Sequence, residues 1–233
     1  MKLIVCKKEK IESLAAAEII KLVNENPLAT LGLATGSSPL GLYQLLINDH
    51  KENKTDYSKV KTFNLDEYLG LPDDHYESYK NFMRRNLFDD ININLDNTFF
   101  PHPEDPEGYS ELLHHSKIDL QILGIGSNGH IGFNEPGTPF ESKTHIVALA
   151  EQTRLDNARF FDSIDDVPTH AVSMGLDDII QAKKIILLAF GKSKANAIKE
   201  LVQGEPSTDC PATILQRHPN VTLYVDEDAA SLL

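Results

Sequence analysis

Short apolar runs alternate with helix-patterned segments along this 233-residue chain, and several runs end in turns rich in glycine, serine or asparagine. That rhythm predicts an α/β protein: an open, mainly parallel, Rossmann-like sheet with helices on both faces. No repeat, low-complexity tract or linker interrupts it, so residues 1–233 read as a single domain. The stretch PHPEDP, residues 101–106, reads as a loop and not a boundary.

The elements follow in order. Residues 2–6 form a first apolar strand, and 11–24 carry helical spacing with a Leu-Ala-Ala-Ala run. Residues 29–34 are a short strand, and 39–47 a helix with proline in its first turn. A strand at 60–65, helices at 78–88 and 106–115, and a strand at 118–123 come next. Beyond a glycine-rich loop lie a strand at 145–150, a helix at 153–161, a strand at 171–174 and a short helix. The strongest strand is 184–190, followed by a helix at 193–202, a strand at 221–225 and a short terminal helix. In such a sheet ligands bind beyond the carboxyl ends of strands, here after Ala34, Leu65 and Leu123.

Composition narrows the function. Net charge is −13, which argues against nucleic acid or an anionic membrane as partner but leaves room for a small anionic ligand held by local cations. No apolar run approaches 18 residues, and the amino terminus lacks a signal-peptide core, so a cytoplasmic protein is expected. Cys6 and Cys210 are read as free thiols, Cys6 buried in its strand.

Four segments carry chemistry. Thr35-Gly36-Ser37-Ser38-Pro39 links a strand to a helix, and its hydroxyls and free N–H groups suit a phosphate as well as a plain helix cap. In FNLDEY the acids Asp66 and Glu67 follow a strand, either one placed to act as a base. The run GIGSNGHIGFNEPG, residues 124–137, sets His130 and Glu135 among five glycines. Its Gly124, Gly126 and Gly129 match a dinucleotide fingerprint, with Glu151 near the ribose-acid offset, but Gly132, Pro136 and Gly137 forbid the helix which that reading requires. Arg159 and Lys194 are cations suited to a phosphate dianion or to a solvated helix face. No His or Cys spacing suggests a metal site, and His114-His115 reads as solvated surface.

Taken together, LATGSSP, FNLDEY, GHIGFNEPG, NARFF, GKSKA and LQRHPNVTLYVDEDAA resemble the glucosamine-6-phosphate deaminase family over nearly the whole chain. The related 6-phosphogluconolactonases share the fold but tend to continue the loop as Gly-His-Thr-Ala-Ser. The resemblance implies that glucosamine 6-phosphate and water become fructose 6-phosphate and ammonia. It makes Asp66 the base moving a proton between C2 and C1, and His130 the ring-opening acid/base supported by Glu135. Asn128 stands where many longer relatives have aspartate, able to hydrogen-bond His130 without adding charge. Phosphate is expected on Gly36, Ser37, Ser38, Arg159 and Lys194, and imine chemistry requires no metal or organic cofactor. Residues 144–148 lack the basic cluster of the allosteric relatives, and the chain stops soon after Asp226. A monomer or small homo-oligomer without allosteric activation is therefore expected. A lactonase and a catalytically silent sugar-phosphate sensor are the alternatives.

Overall fold

The computed structural model describes residues 1–72 and 74–233. Its strands are β1 (Lys2–Val5), β2 (Thr30–Leu33), β3 (Lys61–Asn64), β4 (Asp66–Tyr68), β5 (Thr98–Phe99), β6 (Leu120–Leu123), β7 (His145–Ala148), β8 (His170–Ser173), β9 (Ile185–Ala189) and β10 (Val221–Val225). Its helices are α1 (Lys8–Glu25), α2 (Leu40–Asn53), α3 (Tyr79–Asn86), α4 (Pro106–Ser116), α5 (Glu151–Asn157), α6 (Leu176–Ile180) and α7 (Ala195–Gln203).

Seven strands pair in the order β1-β10-β9-β6-β2-β3-β5, each pair parallel. β2, β6, β9 and β10 are buried at every position, as strands covered on both faces must be. β1 lies at the edge and is mostly exposed. The order reverses between β2 and β6. From β2 the chain works outward through β3 and β5, and from β6 it works outward through β9 and β10. That reversal opens a crevice beyond the carboxyl ends of β2 and β6.

The sequence reading places the segments at 145–150 and 171–174 in the parallel sheet. They form instead, with β4, a separate antiparallel sheet in the order β4-β8-β7. β7 alternates between half-buried and exposed residues, the pattern of a strand covered on one face. Strands β4 and β5, of three and two residues, are too short for periodicity to reveal. Other boundaries move as well. Helix α2 runs on to Asn53 and stops where Lys54 takes φ 62°. Residues 158–160 form a 3-10 turn after α5, not a continuation of it. Cys6 lies one residue past β1 and is half-buried, whereas Cys210 is buried. The terminal segment makes turns, not a helix, with Asp226 Oδ1 accepting the Ala229 N–H at 2.8 Å at its start. Among the described residues no helix is long and apolar enough to cross a membrane.

One apolar core runs from Ile11 to Ala229, and a smaller cluster of Tyr68, Phe133, Leu149 and Ala171 sits beside the antiparallel sheet. In the central sheet Gly32 of β2 pairs with Gln121 of β6. A Cβ on Gly32 would lie 1.9 Å from Gln121 Oε1. The Gln121 side chain is fully buried and donates from Nε2 to the Ile122 carbonyl at 2.8 Å, so it has little room to retreat. Gly32→Ala should therefore cost about 1–3 kcal/mol by overpacking. Adding Gln121→Ala should return part of that loss. Urea midpoints of the three variants test the pair, and a double variant less stable than Gly32→Ala would discount the clash.

Candidate active site

The crevice holds a cavity of about 160 Å³, bounded by the loops after β2, β3, β6 and β9 and by α5. Thr35, Gly36, Ser37 and Ser38 enter from the loop after β2, Asp66 from the start of β4, and His130 and Gly132 from the glycine loop after β6. Arg159 and Lys194 complete the wall. Each residue assigned from sequence to a substrate contact thus faces one space, and Asn128 and Glu135 lie directly behind His130.

The structure separates the two acids of FNLDEY. Successive residues of a strand point to opposite sides. Glu67 turns outward, where Oε1 accepts the N–H groups of Tyr68 at 2.8 Å and Tyr79 at 2.9 Å, and Oε2 accepts that of Lys80 at 2.9 Å. It anchors the start of α3, where the helix dipole favours a negative charge. Asp66 turns inward and is only 6% exposed. Burial, reinforced by the negative charge of Glu67, raises its carboxyl to about 8. A base held near neutrality suits proton transfer.

The glycine loop brings the imidazole of His130 over Gly126, where an added Cβ would lie 2.4 Å from the ring. Gly132 has φ +57° and passes beside Asp66 and Ser173, so a side chain there would be strained and would crowd the base. His130 Nδ1 lies 3.5 Å from Glu135 Oε2, an ion-pair contact at the outer limit of hydrogen bonding. Burial would raise the Glu135 carboxyl, but His130, the Thr153 hydroxyl and the Asn128 amide outweigh it and hold it down at about 2. Asn128 differs from expectation in detail. Its Nδ2 donates to Glu135 Oε2 at 2.9 Å, and its Oδ1 accepts the backbone N–H of His130 at 3.2 Å. It braces the carboxylate and the loop and does not touch the ring through a recorded bond. No helix follows Gly129 before α5 begins at Glu151, so the dinucleotide geometry is absent.

At the opposite wall Gly36 has φ +83°, and Arg159 Nη2 donates to Ser37 Oγ at 3.5 Å. Lys194 stands in the 3-10 turn at Lys192–Lys194. Burial lowers its pKa, Asp156 opposes that shift, and Arg159 adds to it. Two neighbouring cations with hydroxyls and a glycine turn form an anion cradle. Asp226 fixes the approach to Lys194, both carboxylate oxygens accepting the Gly191 N–H at 3.0 Å.

Sequence reasoning missed Asp226, Tyr79 and Thr153. Asp226 follows a buried strand, the signal that pointed to Asp66. Nothing local marks Tyr79, which lines the cavity, or Thr153, which donates to Glu135 Oε1 at 2.5 Å. His114 is exposed, as expected, yet its Nε2 lies 3.2 Å from the buried Asp178, outside this site. Among the described residues no group of three or more His, Cys, Asp or Glu is placed to hold a metal.

These features define an α/β protein whose switch-point pocket sets acid/base side chains against an anion cradle. The chain belongs to the glucosamine-6-phosphate isomerase/6-phosphogluconolactonase family, whose sequence pattern matches residues 8–224. It is 52% identical to a glucosamine-6-phosphate deaminase of Bacillus cereus strain B4264, covering 92% of this chain and 81% of the relative. It is 49% identical to one from Clostridium perfringens strain 13, covering both chains fully. Its structure superposes on a monomeric glucosamine-6-phosphate deaminase with TM-score 0.98, 43% identity and full coverage of both chains. A 6-phosphogluconolactonase from Trypanosoma cruzi, at TM-score 0.80 and 22% identity over 100% of this chain and 96% of that one, shares the fold.

The raised carboxyl of Asp66 has a consequence for stability. Between its ordinary 3.8 and about 8 the folded protein keeps a proton that the unfolded chain releases. This contribution is therefore most favourable below pH 4 and is lost as pH rises toward 8, by up to ~1.4 kcal/mol per pH unit. Asp66→Asn removes the term. The variant should gain on the wild type from pH 5 to pH 7 in urea denaturation, and parallel curves would count against the buried, protonated carboxyl.

Proposed function

We propose that this chain is a glucosamine-6-phosphate deaminase converting glucosamine 6-phosphate and water to fructose 6-phosphate and ammonia. One observation carries the reading: Asp66 and His130, the latter backed by Glu135, share a pocket with the Ser37–Arg159–Lys194 cradle, in a chain about half identical to deaminases over nearly its full length.

The chemistry follows from the side chains. Ring opening takes a proton from the anomeric hydroxyl and returns one to the ring oxygen. His130 is suited to both transfers, and Glu135, ionised and braced by Asn128 and Thr153, holds the imidazolium that forms. Asp66 then removes the C2 proton and delivers it to C1. The resulting C2 imine adds water and expels ammonia. A protonated C2 amine beside Asp66 stabilises the carboxylate, so substrate converts a neutral acid into the base at the moment the base is needed. Arg159, Lys194 and the Ser37 loop hold the phosphate and fix the sugar's register.

We take residues 1–233 as one catalytic domain that works in the cytoplasm as a monomer or small homo-oligomer. The monomeric solved relative supports this, as does the absence of lysine or arginine at residues 144–148, part of which forms β7. Hyperbolic saturation follows. A lactonase reading has the shared family and fold behind it, but the loop here continues as Gly-Phe-Asn-Glu-Pro.

Ammonia release from glucosamine 6-phosphate is the direct assay. Asp66→Asn should lower kcat at least ~100-fold and abolish exchange of the C2 hydrogen with solvent. Exchange at the wild-type rate would remove Asp66 from its role. Arg159→Ala and Lys194→Ala should each cost ~1.5–3 kcal/mol of substrate binding, the usual loss for a charge-assisted contact. The penalty should vanish with unphosphorylated glucosamine, and equal losses on both sugars would refute the cradle.

A further inference from the structure

Helix α5 has seven residues, and Thr153 is its one buried residue. Leu155 is 52% exposed, so no apolar stripe seats the helix. A helix this short does not hold itself together. Polar bonds from its side chains fix it. Thr153 Oγ1 donates to Glu135 Oε1 at 2.5 Å, Asp156 Oδ2 accepts from Ser127 Oγ at 3.3 Å, and Asn157 Nδ2 donates to the Tyr68 hydroxyl at 2.9 Å. Two residues past the helix the chain presents Arg159 to the anion cradle.

The two oxygens of Glu135 have different partners. Oε2 serves Asn128 and His130, while Oε1 takes the Thr153 hydroxyl. A carboxylate gripped on both sides cannot rotate without breaking one grip. The position of α5 and the orientation of Glu135 are therefore one variable. We propose that Thr153 is a positioning residue that couples the phosphate-binding segment to the ring-opening pair, so that an anion held by Arg159 steadies Glu135 against His130. This deepens the deaminase reading and depends on it for the role of the pair. The Thr153 hydroxyl touches Glu135, and its effect on catalysis passes through that carboxylate.

Thr153→Val keeps the shape and removes the hydroxyl, and Thr153→Ser keeps the hydroxyl. With glucosamine 6-phosphate, Thr153→Val should lower kcat by at least ~10-fold, the equivalent of one hydrogen bond to a charged group, and change KM by less than ~3-fold. The pH limb belonging to the pair should move downward, because a carboxylate released on one side holds the imidazolium less firmly. Thr153→Ser should restore both quantities. A second measurement needs no turnover. The ring-proton resonance of His130, assigned by its loss in His130→Gln, is followed while inorganic phosphate is added. Phosphate should displace it in the wild type and in Thr153→Ser, and by less than half as much in Thr153→Val. Equal displacement in all three proteins overturns the coupling. Wild-type kcat and pH limb in Thr153→Val overturn it equally. If the wild type releases no ammonia, the substrate assignment fails, and the phosphate titration still decides whether Thr153 links the two segments.

Discussion

Three backbone N–H groups converge on the carboxylate of Glu67, and much of the site depends on that grip. It fixes the start of α3, and so the wall at Tyr79, to the three-residue strand β4. It commits Glu67 to the outer side of that strand, and the pleat then commits Asp66 to the inner side. Without this anchor two adjacent acids would compete for solvent, and neither would be held in the crevice. The same charge, close behind Asp66, adds to the burial that keeps the inner carboxyl protonated.

A protein of net charge −13 that accepts a dianion needs its cations concentrated. Arg159 and Lys194 come from distant stretches of chain and repel one another, and the pKa of Lys194 is lowered by burial and by the Arg159 charge. That mutual repulsion is relieved when a dianion sits between them. Asp226, through the Gly191 N–H, keeps the lysine turn in place. Affinity is thus local, and the acidic exterior is screened over ~8 Å at physiological salt.

The sequence showed best what is set by burial on both faces. β9 reads as an uninterrupted apolar run, and β2, β6 and β10 as apolar runs broken by single buried polar residues, because every residue is covered, and the loops that follow β2 and β6 carry the pocket. The antiparallel sheet was hidden because β4 is too short to show a period and β7 is covered on one side. The choice between Asp66 and Glu67 needed the resemblance to known deaminases, since the outward turn of Glu67 arises from helix N–H groups twelve and thirteen residues on. Thr153 was illegible for a related reason: its partner is eighteen residues back, and a threonine in a polar helix carries no mark of a tertiary bond.

β10 lies between β1 and β9, and among the described residues β1 has no other strand beside it. Lys2 pairs with Thr222 and Val5 with Val225. During synthesis β1 must therefore wait, unpaired, until β10 has emerged. The lysine turn waits as well, for Asp226 follows that same strand. One strand thus closes both the β1 edge of the sheet and one wall of its pocket, and neither is complete without it.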